Sequence, residues 1–169
     1  GTTSDATAKQ LYNSLIVYKG KNNTLGPSLA KSWHVTRDGK KITFYLRQDV
    51  SFHQTSYFTP TRLFNADDVL FSFNRILEQE HAFHHVSGNQ YPFFQSVKFS
   101  ELVEKVEKIN DFTVRFILKR NDSSFLANLA TDFAVILSEE YGQILQEKSA
   151  EHEIDIFPIG TGPFKLKDY

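Results

Sequence analysis

The stretch WHVTRDGKKITFYLR, residues 33–47, contains two runs of alternating side chains on either side of Asp38-Gly39. In the second run every other residue is apolar, namely Ile42, Phe44 and Leu46. Alternation with a period of two is typical of strands that bury one face, and Asp-Gly favours the tight turn that joins two such strands. The sequence therefore predicts a β-hairpin here, with Trp33 as a core anchor at its start.

A second hairpin is predicted further along the chain, where residues 103–109 and 112–118 flank Asn110-Asp111. Between the two hairpins, Asn65 precedes two aspartates and an apolar stripe at helical spacing, which predicts a capped amphipathic helix. Two hairpins interspersed with helices indicate an α+β fold with a small mixed or antiparallel sheet and flanking helices.

The other elements follow from weaker local patterns. Turn residues and apolar spacing predict a long loop between the second helix and the second hairpin. The remaining predictions are helices over 3–15, 125–130 and 138–147, a strand over 15–19, about one helical turn after Gly26-Pro27, the loop over 80–100, and a last strand after the Pro/Gly corner at 158–163.

The composition excludes several classes of protein. A net charge of −1 gives no electrostatic argument for binding nucleic acid or an anionic membrane surface. Apolar runs such as FAVIL (133–137) are too short to insert into a bilayer. The absence of cysteine excludes disulfides, thiolate catalysis and Cys-based zinc sites, and the absence of methionine leads us to expect a processed chain or a piece of a longer one.

The segment HAFHHVSGNQ, residues 81–90, holds three of the six histidines. His81, His84 and His85 could serve as metal ligands, line a cleft, or belong to a solvated loop. The supporting ligands and the helical H-E-x-x-H pattern of a zinc site are missing. An independent metal-dependent enzyme or sensor built on this loop nevertheless stays open as an alternative from the residues alone.

No constellation for catalysis emerges from the motifs. Asp67 and Asp68 are explained by their place in the first turn of a helix, where carboxylates favour the positive end of the dipole. GPSLA (26–30) lacks the second glycine of a G-x-S-x-G nucleophile turn, and GTGPF (160–164) is too short for a phosphate-binding loop. The sequence predicts no enzyme, no cofactor and no metal.

Four segments, taken in order, resemble one family. The family is that of the extracytoplasmic dipeptide and oligopeptide receptors of bacterial ABC importers. The string P-T-R-x-x-N-A-D-D-V and the later VSG are closest to its dipeptide-binding and antimicrobial-peptide (Sap-type) branch. The segments are LYNSLIVYK (11–19), LGPSLAKSWHVTRDGKKITFYLRQDVSFH (25–53), PTRLFNADDVLFSFNR (60–75) and PIGTGPF (158–164).

The resemblance implies a larger, two-lobed periplasmic protein that captures peptide and delivers it to the membrane subunits of the importer. Members of the family are several times longer than this chain. Residues 1–169 would form one small subdomain attached to the first lobe, and residues 158–169 would return toward the main lobe. The same family includes haem- and nickel-binding receptors, which are the alternatives to peptide.

The resemblance also implies where a ligand lies. Family members usually place a tyrosine of the loop after the capped helix at the edge of the peptide cleft. The corresponding residue here is Phe83, which lacks the hydroxyl, and His84 and His85 are next to it. Thr2 and Thr3 fall where the first lobe offers backbone groups to an extended peptide. These five residues are the predicted ligand-binding residues.

Overall fold

Two antiparallel sheets form the framework of the chain, as seen in a computed structural model that describes residues 11–20, 22, 24–86 and 91–164. The smaller sheet pairs two strands, and the larger sheet has the order β3-β4-β6-β5. The strands are β1 (Ile16–Lys19), β2 (Thr24–Pro27), β3 (Ala30–Val35), β4 (Lys41–Leu46), β5 (Val103–Asn110) and β6 (Thr113–Leu118).

Six helices are described around the sheets. The longest, α1, has 12 residues, and no helix in the described ranges has the length and apolar character needed to cross a membrane. The helices are α1 (Ala66–Leu77), α2 (Pro92–Ser96), α3 (Phe99–Leu102), α4 (Phe125–Leu129), α5 (Glu139–Glu147) and α6 (Glu153–Ile156).

Both predicted hairpins are confirmed, and they join into one sheet. Strands β4 and β6 pair in the middle, with Phe44 opposite Val114. The rings of Phe44 and Phe116 meet edge to face at 5.6 Å in the core. Trp33, opposite Phe44 on β3, is half-buried and packs against that core, as predicted. The α+β class with antiparallel sheets is therefore confirmed.

The capped helix α1 is confirmed in detail. The Asn65 side chain accepts a hydrogen bond from the Asp67 backbone N–H at 2.9 Å, and the Asp68 carboxylate accepts one from the Asn65 N–H at 2.9 Å. This reciprocal arrangement satisfies backbone donors that a helix start leaves unpaired. The buried face of α1 places Phe73 against Phe116, with ring centroids 5.1 Å apart.

Phenylalanine supplies seven of the twelve largest fully buried side chains among the described residues. Large apolar rings bury more area per residue than aliphatic side chains, so a chain of this length can fill its interior with few of them. Seven phenylalanines of the described residues are less than 2% exposed: Phe44, Phe64, Phe73, Phe83, Phe99, Phe116 and Phe125.

Two predictions near the start of the chain need correction. The predicted helix over 3–15 lies largely outside the described residues, and its last four residues are not helical. Ser14 forms an isolated bridge with Val135 and its carbonyl accepts the Leu29 N–H at 3.2 Å, so this backbone pairs with other segments. The turn predicted at Gly26-Pro27 is wrong, because both residues belong to β2.

Proline is tolerated in β2 because it stands at the end of a two-stranded sheet. Pro27 faces Ile16 at the last pair of the register, where a missing N–H costs little. The helical turn predicted after it is also wrong. The chain enters β3 at Ala30, whose N–H donates to the Leu15 carbonyl at 2.9 Å.

One further prediction is wrong, and another lies largely outside the described residues. The segment predicted as a long loop over 80–100 contains the short helices α2 and α3, and its residues 87–90 lie outside the described residues. The last strand, predicted after the corner at 158–163, falls almost wholly on 165–169, which lie outside the described residues, so it stays a prediction. The short helix α6 was not predicted.

Candidate functional site

The histidine loop, which we define as residues 78–86, follows the last turn of α1. The side chain of His84 is held against that helix, because its Nδ1 lies 2.7 Å from the Arg75 carbonyl oxygen. A carbonyl oxygen can only accept a hydrogen bond, so Nδ1 carries a proton, and in the neutral ring Nε2 is the nitrogen left to accept. The His84 ring also lies 5.0 Å from that of His85 and 5.6 Å from that of Tyr91.

Phe83 points inward. Its ring is 1% exposed and meets Phe71 of α1 edge to face at 5.1 Å. Ala82 and His85, on either side of it in the sequence, are exposed, while His84 is half-buried. Phe83 was expected at a cleft edge, and the structure places its ring in the core instead. A ligand contact by Phe83 stays a prediction, and it would require the ring to leave this packing.

His81 stabilises the turn of the loop. Its Nδ1 accepts a hydrogen bond from the Phe83 backbone N–H at 3.1 Å, and its ring lies 5.5 Å from that of Phe71. Burial lowers the pKa of His81; Glu78 opposes the shift, and Arg75 adds to it. The neutral imidazole is the form that this hydrogen bond requires.

The three histidines do not converge on one point. Across residues 11–20, 22, 24–86 and 91–164, no three histidine, aspartate or glutamate side chains are grouped so that they could hold a metal ion. His81 and His84 each use one ring nitrogen for a backbone hydrogen bond. The geometry therefore does not favour the metal-dependent enzyme or sensor that the residues alone left open.

Tyr91 ties the histidine loop to α2, and the sequence analysis did not single it out. Its hydroxyl lies 3.1 Å from the Phe83 carbonyl oxygen and 3.0 Å from the His84 carbonyl oxygen, so one O–H is shared between the two. Burial raises the pKa of Tyr91, and the nearby Arg75 opposes the shift. Tyr91 also adopts a φ of 25°, unusual for a residue with a side chain.

Two cavities border this region. The larger, of about 340 Å³, is lined by His84, Tyr91, Lys98 and Glu101 among others, so it carries both charge signs. The smaller, of about 200 Å³, shares Tyr91 with the first and is lined otherwise by Arg75 and apolar residues. Arg75 places its guanidinium carbon 5.5 Å from the centre of the Tyr91 ring, a cation–π geometry.

Thr2 and Thr3 lie outside the described residues. The segment that follows them is described from Leu11, whose carbonyl oxygen accepts the Gly162 N–H at 2.9 Å. The Asn13 side chain donates to the Thr161 hydroxyl at 2.6 Å and to the Gly162 carbonyl at 2.5 Å. The first described residues and the 158–164 corner therefore lie side by side.

Known proteins match this arrangement over the whole chain. The family model described as bacterial extracellular solute-binding proteins, family 5 Middle, matches residues 24–169. The chain is 46% identical over 169 residues to heme-binding protein A of Haemophilus influenzae, and it covers 31% of that protein. It is 45% identical over 169 residues to the dipeptide-binding protein of Escherichia coli (strain K12), and covers 32% of it.

A solved structure is also closely similar to this chain in fold and in sequence. The crystal structure of the dipeptide-binding protein from Pseudoalteromonas sp. SM9913 in complex with Met-Leu has a TM-score of 0.91 and 47% sequence identity. The match covers 100% of this chain and 33% of that one, so this chain spans about a third of the length of its relatives. The resemblance seen in the sequence is confirmed, and the chain belongs to the family 5 bacterial extracellular solute-binding proteins.

Proposed function

We propose that this chain is one part of a periplasmic peptide receptor that delivers its ligand to the membrane subunits of an ABC importer. One observation carries the proposal. Identity of 45% to a dipeptide-binding protein extends over all 169 residues, and the fold matches a dipeptide-binding protein solved with Met-Leu at a TM-score of 0.91. Because the chain spans about a third of these relatives, the activity belongs to the whole receptor.

Within that receptor, residues 1–169 are the small subdomain beside the first lobe, and residues 158–169 lead back to the main lobe. The proximity of Leu11 to Gly162 supports this assignment, because a subdomain inserted into a larger lobe must enter and leave at neighbouring points. The peptide lies between two lobes that close about a hinge, and the closed form docks on the membrane subunits.

This chain contributes one wall of the cleft. Backbone groups at Thr2 and Thr3 hydrogen-bond an extended peptide, and His84 and His85 border it. Phe83 contributes by supporting the loop from the core. A single wall buries only part of a ligand, so the isolated chain is expected to bind peptide weakly.

Calorimetric titration tests the proposal. The intact receptor and the 169-residue chain are each titrated with Met-Leu, with a cationic antimicrobial peptide, and with Ni²⁺. We expect peptide binding by the intact receptor and little by the chain alone. An intact receptor that binds none of the peptides would sink the proposal.

Haem is the second candidate ligand, favoured by one observation. The chain is 46% identical to heme-binding protein A of Haemophilus influenzae over 169 residues. Neutral imidazole is a common axial ligand of haem iron, and His84 keeps Nε2 as the acceptor nitrogen. A haem titration followed by the Soret band, repeated with His84→Ala and His85→Ala, separates the candidates: loss of binding in these variants would favour haem.

A further inference from the structure

The 200 Å³ cavity beside Tyr91 has an unusual lining. It consists of one cation and otherwise apolar or aromatic residues: Arg75, Tyr91, Pro92, Phe93, Phe94 and Phe133. The rings of Phe93 and Phe133 lie parallel, with centroids 4.7 Å apart and an interplanar angle of 8°. The lining therefore offers a positive charge next to a pair of stacked rings, and no acidic side chain.

Arg75 has a donor without an acceptor. Its Nη1 is buried, and the described residues provide no hydrogen-bond partner for it. Over the same residues, no carboxylate lies within ion-pair distance of the guanidinium. The Tyr91 ring lies beside the guanidinium, with its centre 5.5 Å from the guanidinium carbon. A buried charged donor is costly unless an acceptor reaches it, and the planar guanidinium fork matches a carboxylate.

Phe133 is the most exposed aromatic ring of the lining. It is 63% exposed, the largest exposed fraction among the large apolar side chains of the described residues. An exposed ring in a parallel stack presents a flat apolar face to solvent. Planar and aromatic groups pack well on such faces. Because the ring is mostly outside the core, a ligand can reach it from solvent.

We propose that Arg75, Tyr91, Phe93 and Phe133 form a subsite for a carboxylate borne on an aromatic group. The carboxylate pairs with the Arg75 guanidinium, and the aromatic group packs on the Phe93–Phe133 pair. The inference deepens the proposed function and rests on it for the identity of the natural ligand. In a peptide, the matching chemistry is an aromatic residue with a free C-terminal carboxylate.

The probe for this subsite is N-acetyl-phenylalanine, titrated into the 169-residue chain and followed by NMR. N-acetyl-phenylalaninamide is the matched control, because it keeps the ring and lacks the charge. We expect saturable shifts at the α2 amides and at Phe133 with the acid. Loss of a charge-assisted hydrogen bond should weaken the amide about tenfold or more. Equal binding of acid and amide would overturn the proposal.

Variants locate the binding. Arg75→Gln and Phe133→Ala should each remove most of the acid's binding, and Arg75→Lys should restore only part of it because the fork is lost. Tyr45→Ala is the control, since Tyr45 is also exposed, at 40%, but lies on β4. If Arg75→Gln does not fold, Phe133→Ala alone tests whether the acid binds at this cavity. A loss of the same size in Tyr45→Ala would refute the assignment.

The subsite and the receptor function can fail separately. If the intact receptor binds Met-Leu while the chain shows no shift with the acid, the subsite is refuted and the proposed function stands. If the acid binds at Arg75 and the intact receptor binds no peptide, the subsite chemistry stands. In that case peptide is overturned as its natural ligand.

Discussion

Replacing Asp68 by Asn should destabilise this fold far more than the same change at the next residue, Asp67. The Asp68 carboxylate is fully buried at the start of α1. It accepts hydrogen bonds from both terminal nitrogens of Arg62 at 2.8 and 2.9 Å, and from the Asn65 and Glu139 backbone N–H groups at 2.9 and 2.8 Å. One side chain thus holds the starts of α1 and α5 together.

The magnitude follows from what the substitution leaves behind. Asparagine keeps one acceptor oxygen, but its NH₂ group faces donors, and the Arg62 charge loses its partner. Breaking a buried ion pair on one side typically costs about 3–5 kcal/mol. Arg62 is 28% exposed and can regain some hydration, so we expect the lower end, about 3 kcal/mol. That corresponds to a fall in melting temperature of roughly 6–12 °C for a chain of this size.

Urea denaturation at neutral pH, followed by circular dichroism, measures the effect. Asp67→Asn is the matched control, because Asp67 is next in sequence but partly exposed, and its carboxylate pairs with Lys108 at 3.1 Å on the surface. The control should change the free energy of unfolding by less than about 1 kcal/mol. If the two variants lose equal stability, the buried ion pair does not hold the helices as argued.

Three other predictions concern the loop and the corner. Burial lowers the pKa of His81 from 6.5, so the unfolded chain binds more protons than the folded chain between the two pKa values, and the free energy of unfolding should fall as the pH drops below about 6.5. His81→Gln should flatten this pH dependence, whereas His34→Gln should leave it unchanged. Measuring the free energy of unfolding from about pH 5 to pH 8 tests this prediction. Gly162→Ala should lower the free energy of unfolding by about 2–4 kcal/mol, because Gly162 has a φ of +62° and a Cβ there would collide with the His53 ring. Adding His53→Ala should recover part of this stability in thermal melts. No recovery would rule out the collision. Tyr91→Phe should lower the free energy of unfolding by about 1 kcal/mol and speed amide hydrogen exchange in the histidine loop. Unchanged exchange would show that the Tyr91 hydroxyl does not stabilise the loop.

The sequence by itself determined those elements whose signals are local. Asp38-Gly39 and Asn110-Asp111 specify turns through their own backbone preferences, and a period of two around them specifies strands. Asn65 and Ser138 predict helix starts because each side chain caps a backbone N–H only two or three residues further along. The histidine loop was found in the same way, from three imidazoles close together in the sequence.

The pairing of distant segments was decided only by the tertiary structure. Nothing in the sequence near Gly26-Pro27 indicates that β1 lies alongside this segment. Pairing with β1 keeps the two residues in a strand although their local preference is for a turn. The inward direction of Phe83 depends on Phe71, which comes from the preceding helix. Burial is a property of the assembled core, so a pattern in the sequence cannot assign it to one aromatic residue among many.

The same reason explains why the carboxylate subsite was missed. Arg75, Tyr91 and Phe133 come from α1, from the start of α2 and from the segment after α4, and no spacing in the sequence relates them. Read singly, each is an ordinary helix-end cation or an apolar ring. They can form a site only because the fold brings them close together: the Arg75 guanidinium carbon lies 5.5 Å from the centre of the Tyr91 ring, and the stacked rings of Phe93 and Phe133 lie 4.7 Å apart. Packing sets such distances, because side chains far apart in sequence must fill one interior together.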